Sequence, residues 1–284
     1  MNFFTFTKLG RTLLLAVGVV VSVVCVSYSD NPPELVGQWV NVINCINIEL
    51  FKDGTGVVGN TSITWKTEGK RFVFTQNNNT TVRDYNLSGY ELTRTFDDGS
   101  VAVWVRKDKV EEYKEKNSIE FTDSRNGQKY RAVKIGDKTW MAQNLNYQTG
   151  NSWCYGDDNS NCEKYGRLYD WYSAKLKACP AGWHLPSNEE WNGLIKAVTS
   201  IALKSASGWD SNGNGIDCSG FSALPGGIRY SSGRFDDVGK EGLWWTATRV
   251  GNCTYGRKMF YDKGYVDEGC PIADHGISVR CVQD

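Results

Sequence analysis

Histidine is almost absent, with two in 284 residues. That leaves little scope for imidazole-based catalysis or a histidine-rich metal centre. A surplus of either charge is absent too: Lys+Arg and Asp+Glu both number 32. Nucleic acid and an anionic membrane surface both call for a basic excess, so neither is expected as the main partner. No C-x-x-C pair occurs, which argues against a thiolate zinc site. Only one long apolar run exists, and it lies at the N-terminus. What the chain does have is glycine (30), tryptophan (11) and tyrosine (14), a texture of turns and strands rather than of a helical bundle. With 40% hydrophobic residues it can bury a sizeable core, which excludes wholesale disorder.

The apolar run, residues 13–26, follows Lys8 and Arg11. Fourteen residues suit the hydrophobic region of an export signal and are short for a bilayer span. Ser27-Tyr28-Ser29 supplies a small-x-small cleavage site, so residues 1–29 read as a signal peptide. A lipoprotein signal acylated at Cys25 is the runner-up, although Val24 is not the small residue it needs; an uncleaved anchor is the third reading. A membrane partner is expected only in those two cases. Eight cysteines remain beyond Cys25, an even number that reads as disulfides in an exported chain. Cys154 and Cys162 enclose seven residues rich in Asp, Asn and Ser, which cannot form a core of their own; a bond is expected to close that loop.

Residues 30–107 alternate apolar with polar positions over short runs: 46–51, 63–65, 71–75, 90–95 and 101–105. Asp53-Gly54, Glu68-Gly69, Ser88-Gly89 and Asp98-Gly99 supply tight-turn chemistry between them. The spacing predicts an antiparallel meander closing into a small barrel or sandwich. Leu35-Val36-Gly37-Gln38-Trp39 with Lys52-Asp53-Gly54-Thr55-Gly56 resembles the small lipocalin-like domains of bacterial exported proteins, with Trp39 plugging one end. Residues 108–120, polar and charged, read as a linker or one short helix. Residues 121–284 form a second domain. It opens with a hairpin (130–135 and 139–145), continues with a first helix over 168–178, and then has a second helix after Ser187. Ser187 and Glu190 make a capping box, and Trp191, Leu194, Ile195, Val198 and Ile201 follow at helical spacing as a core face. Glycine-rich loops and short strands fill the remainder.

Several strings in this second part occur in one order: Thr139-Trp140-Met141-Ala142-Gln143-Asn144-Leu145, Tyr165-Gly166-Arg167-Leu168-Tyr169, Cys179-Pro180-Ala181-Gly182-Trp183-His184-Leu185-Pro186-Ser187, Gly220-Phe221-Ser222-Ala223-Leu224-Pro225 and Ser278-Val279-Arg280-Cys281. They resemble the Fibrobacter succinogenes major paralogous domain family, whose members are exported bacterial proteins often joined to other small modules. Trp183 through Trp191 and the ending Gly276 through Val282 also look like the C-type-lectin-like fold of formylglycine-generating enzymes. The implied class is α+β: a C-type-lectin-like C-terminal domain with its last strand central, behind a small all-β lipocalin-like barrel or sandwich. That fold also implies Cys179–Cys281, since a helix-region cysteine commonly joins the last strand there. It hosts sugar binders, protein binders and enzymes alike, so it names no function.

Chemistry is sparse. His184, between Trp183 and Leu185, reads as a core histidine; His275 adjoins Asp274 in a loop without a serine motif. Formylglycine-generating enzymes use two cysteines close together, whereas Cys253 and Cys270 have sixteen residues between them and are expected to bond to each other. Cys45 and Cys218 are left over, either joining the domains or remaining as buried thiols. Asp210-Ser211-Asn212-Gly213-Asn214-Gly215 matches half a calcium loop, but position twelve is Phe221, so an Asn/Gly turn is the adopted reading and no cofactor is expected. Loop aromatics remain: Trp153, Trp209, Tyr230, Tyr255 and Tyr265 are the candidate binding residues, expected to be exposed on one side. The reading is thus a non-catalytic exported protein that binds a glycan or a protein at the cell surface. An enzyme on the formylglycine-generating scaffold and a purely structural surface protein are the alternatives.

Overall fold

The computed structural model describes residues 31–96 and 101–284; the expected signal peptide and Cys25 lie outside the described residues. Among the described residues no helix is long and apolar enough to cross a membrane. The architecture is mostly β with short helices, a loose α+β arrangement.

Eight strands form an antiparallel barrel in sequence order: β1 (Gly37–Asn41), β2 (Asn47–Leu50), β3 (Thr55–Val58), β4 (Thr61–Glu68), β5 (Arg71–Gln76), β6 (Asn79–Ser88), β7 (Glu91–Thr95) and β8 (Val101–Arg106). β8 pairs back onto β1, so the meander closes as a barrel rather than a sandwich. Trp39 seals one end: it is fully buried, its indole N–H donates to the Leu35 carbonyl at 2.9 Å, and the Arg106 guanidinium lies 4.3 Å above its ring.

Residues 108–120 are not a plain linker. Helix α1 (Val110–Asn117) leads directly into β9 (Ser118–Thr122), which pairs with β10 (Lys129–Ile135), so the second sheet starts earlier than residue 121. α1 fastens both parts of the molecule: Lys116 reaches Glu91 of the barrel at 2.7 Å, and Lys114 reaches Asp217 at 3.1 Å.

The second part contains β11 (Lys138–Met141), β12 (Ser152–Trp153), α2 (Asn159–Tyr165), β13 (Leu168–Tyr169), α3 (Trp171–Ser173), β14 (Trp183–His184), α4 (Asn188–Ala197), α5 (Ser200–Leu203), β15 (Ile228–Arg229), β16 (Phe235–Asp236), β17 (Glu241–Val250), β18 (Cys253–Phe260), β19 (Asp267–Gly269), β20 (Ile277–Ser278) and β21 (Val282–Gln283). One sheet has the order β14-β21-β11-β10-β9, another β12-β13-β20-β17-β18-β19, and β15 pairs with β16. The last segment therefore threads both large sheets through β20 and β21. The first helix is shorter than expected. Leu168 and Tyr169 are strand, and the helix starts at Trp171, where the Asp170 carboxylate caps the Ser173 N–H at 2.7 Å. α4 carries its capping box at Ser187 and Glu190, but it ends at Ala197. Trp191, Leu194 and Val198 are buried, whereas Ile201 is 45% exposed because α5 begins a new axis.

Among the described residues four disulfides are present: Cys154–Cys162, Cys179–Cys281, Cys253–Cys270 and Cys45–Cys218, with Cα separations of 4.9, 5.8, 5.3 and 5.8 Å. The last ties the β1–β2 hairpin of the barrel to the second part. So many bridges point to an oxidising compartment.

Candidate binding cleft

The ordered strings of the second part converge on a buried polar hub. Asn144 is buried; its amide donates to the Tyr165 carbonyl, and its Oδ1 accepts from the Trp244 indole and from Arg280 Nε, each at 2.9 Å. Arg280 is fully buried, donating also to the carbonyls of Met141, Phe221 and Ser222, with its guanidinium 4.3 Å from the Phe221 ring. Burial pushes it down to about 9. Gly166, at φ +75°, passes so close to Asn144 that a Cβ would stand 2.7 Å from the Asn144 Cβ. These motifs hold the two sheets together; they do not form a surface.

The five candidate aromatics do not share one face. Trp209 belongs to the core: it is 4% exposed, and its indole donates to Ser205 Oγ and the Ala223 carbonyl. Its loop folds inward and places Trp209 in the same buried cluster as Phe221 and Trp244. Trp153 is half-buried under the Arg229 guanidinium, 4.1 Å from its ring. Tyr230 follows Arg229 directly and so faces the other side of the short strand, where its ring meets His275 edge-on at 5.3 Å. Tyr265 is 52% exposed beside Lys263, and Tyr255 is half-buried near the far end of β18.

Tyr230 does line a cleft of about 450 Å³ between β15, β17, β18 and the 269–277 segment. Its walls also carry Asp237, Glu241, Lys258 and His275. Glu241 and Lys258, cross-strand neighbours in β17 and β18, pair at 2.9 Å. Burial pushes the His275 imidazole down, against the opposing pull of Asp274, so the ring is neutral at neutral pH. Its Nδ1 is buried without a hydrogen-bond partner among the described residues. The Cys253–Cys270 bond and the hydrogen bond from Thr254 Oγ1 to the Pro271 carbonyl, 2.5 Å, pin the outer wall. Sequence reading found Tyr230 from its loop context but did not join His275, Glu241 and Lys258 to it: the β17–β18 pairing brings Glu241 to Lys258, and the backbone pairing of Gly276 with Arg229 sets His275 in the same wall.

The Asp210–Gly215 stretch is a turn, with Ser211 and Asn212 at positive φ and Asn214 Oδ1 accepting from Trp209 N. Beside it the ammonium of buried Lys204 donates to the carbonyls of Gly213, Phe260, Tyr261 and Lys263. His184 is not a core histidine. Its short edge strand leaves the ring half-exposed, with Nδ1 2.6 Å from Asp284 and Nε2 3.0 Å from Glu190, clamping the C-terminus to α4.

Fold and cleft together define a disulfide-stapled, two-part β-rich protein with a polar cleft lined in part by an aromatic ring. The profile of the Fibrobacter succinogenes major domain matches residues 133–283, just over half of the chain, and the chain belongs to that family. The match begins within β10, so the barrel lies outside it. Neither a curated protein nor a solved structure matches the chain.

Proposed function

We propose that this is an exported, non-catalytic binding protein whose ligand is a glycan, held in the Tyr230–His275 cleft. The carrying observation is the neutral, partnerless His275 Nδ1 set beside the Tyr230 ring and the Glu241–Lys258 pair. An aromatic edge and flanking donors and acceptors with no strong net charge suit a polyhydroxylated neutral ring. Export is supported by the signal-like residues 1–29 and the four disulfides. A non-catalytic role is supported by the pairing of all eight described cysteines, since the formylglycine-generating chemistry needs thiols. The C-type-lectin-like reading of the second part gains support from β20 lying inside its sheet between β13 and β17. The lipocalin-like reading of the first gains support from the closed barrel with its Trp39 plug.

The test is a glycan array probed with the full protein. A hit whose binding is lost in Tyr230→Ala and His275→Ala, with unchanged melting temperature, is the expected result. Trp209→Ala is expected to lower the melting temperature instead. An array without hits, or a hit indifferent to both cleft variants, sinks the reading.

A further inference from the structure

The cleft beside Tyr230 and His275 owes its space to two missing side chains. β18 and β19 pair with Gly256 directly opposite Gly269, so two glycines stand side by side on one face of the sheet. Leu243 and Trp245 of β17 lie on that same face, opposite Lys258 and Gly256. Both belong to the buried cluster that includes Ile228 and Ile277. The apolar core therefore runs along this face and stops at a glycine notch. The two glycines differ. A Cβ at Gly256 would stand 3.1 Å from Pro271 Cγ, so Pro271 roofs that half. A Cβ at Gly269 would meet nothing within 4 Å, and neither glycine is held at positive φ. At position 269 neither the backbone nor a neighbour calls for glycine; a strand glycine of that kind marks a place where a ligand can approach closely.

The cleft thus has two chemistries within one outline. Ile228, Leu243, Ile277 and Pro271 line one part of it with carbon. Tyr230, Lys258 and His275 line another with polar groups. A plain hexose has hydroxyls and ring C–H groups but no methyl for the first part. His275 Nδ1 is buried without a partner among the described residues, and in the Nε2–H tautomer it accepts a hydrogen bond. An acetamido group answers both needs at once: its N–H donates to an acceptor nitrogen, its methyl is apolar, and its carbonyl can accept from an ammonium. It also adds no net charge. We propose that the cleft selects N-acetylated amino sugars, with the acetamido methyl in the Gly256–Gly269 notch against Leu243 and Pro271 and its N–H on His275 Nδ1. This selectivity rests on the glycan reading of the same cleft and names the group that decides which glycans bind.

The test is titration calorimetry of the full chain with two matched pairs, N-acetylglucosamine against glucose and N-acetylgalactosamine against galactose. Members of a pair differ only at the 2-position, so their affinity ratio reads the acetamido group alone. At least one acetylated sugar is expected to bind about tenfold more tightly than its partner, equivalent to about 1.4 kcal/mol. Gly269→Leu, which fills the notch without straining the backbone, should abolish that ratio and leave the melting temperature unchanged. His275→Leu, which removes the acceptor, should lower the ratio as well; if Gly269→Leu does not fold, this variant and the wild-type ratio decide. Equal binding within both pairs, or binding of the plain sugars alone, overturns the proposal and leaves the glycan reading standing. If either folded variant leaves the preference unchanged, the proposal is overturned as well. If none of the four sugars binds at millimolar concentration the proposal is overturned, and if the glycan array also has no hits the glycan reading falls with it.

Discussion

Asp123 shows how much one side chain organises. It is fully buried, and Arg125 grips it through Nε at 2.9 Å and Nη2 at 2.6 Å. Arg125 then donates to the carbonyls of Lys177, Ala178 and Cys179, satisfying the end of the helix that starts at Trp171, and stacks 3.7 Å from the Tyr147 ring. Burial raises the Asp123 carboxyl, but the hydrogen bonds and charge of Arg125 outweigh it, and the group is held below its ordinary 3.8. A carboxylate depressed on folding stabilises the protein above its unfolded pKa and loses that contribution as pH falls through the folded one. Chemical denaturation between pH 5 and pH 2 (about that span brackets an ordinary carboxylate) should therefore show stability falling below pH ~4, and Asp123→Asn should flatten that slope. An unchanged slope would show that Asp123 is not among the groups responsible. None of this was legible in the sequence, where Asp123 and Arg125 look like ordinary turn residues.

Elements were legible in proportion to how much of their signal is local. The α4 cap is: Ser187 Oγ accepts from Glu190 N at 3.1 Å, and the Glu190 carboxylate accepts from Ser187 N at 2.8 Å. Ser187→Ala should cost about 1 kcal/mol, measured as a drop in the denaturant midpoint without a change in its slope. A loss near zero would mean that α4 is held by packing of Trp191 and Leu194 alone. β6 is the opposite case. Thr81, Arg83, Tyr85 and Leu87 take the less exposed positions while Val82 points outward, 38% exposed, so its apolar alternation is diluted and escapes a sequence reading. The closing stretch is divided into β20 and β21 because Arg280 turns into the hub rather than pairing along one ladder.

At the scale of the molecule, the Cys45–Cys218 bond and the Lys114–Asp217 ion pair hold the barrel on the second part. The bond spans 173 residues, and the chain-entropy account gives such a loop about 5 kcal/mol. The double variant Cys45→Ser, Cys218→Ser should separate the calorimetric unfolding into two transitions and expose residues 107–117 to limited proteolysis. One cooperative transition at nearly the wild-type temperature would mean that the α1 contacts alone couple the two parts.

The sequence alone determined what short-range chemistry determines: the family, the meander with its Asp-Gly and Asn turns, the α4 cap, and a cysteine count calling for bridges. Tertiary structure alone decided which side chains face inward. Trp209 sits among glycines, a local pattern common to exposed loops and to loops folded over a core, and only its burial in the tertiary cluster, with Ser205 and the Ala223 carbonyl to accept its indole N–H, makes it core. Cys45 and Cys218 carry no pairing signal, because the distance between them depends on how two independently patterned parts dock. Glu241 meets Lys258 only after β17 and β18 pair, and His275 joins that cleft wall only when Gly276 pairs with Arg229, since cross-strand proximity is a property of register and not of sequence neighbourhood.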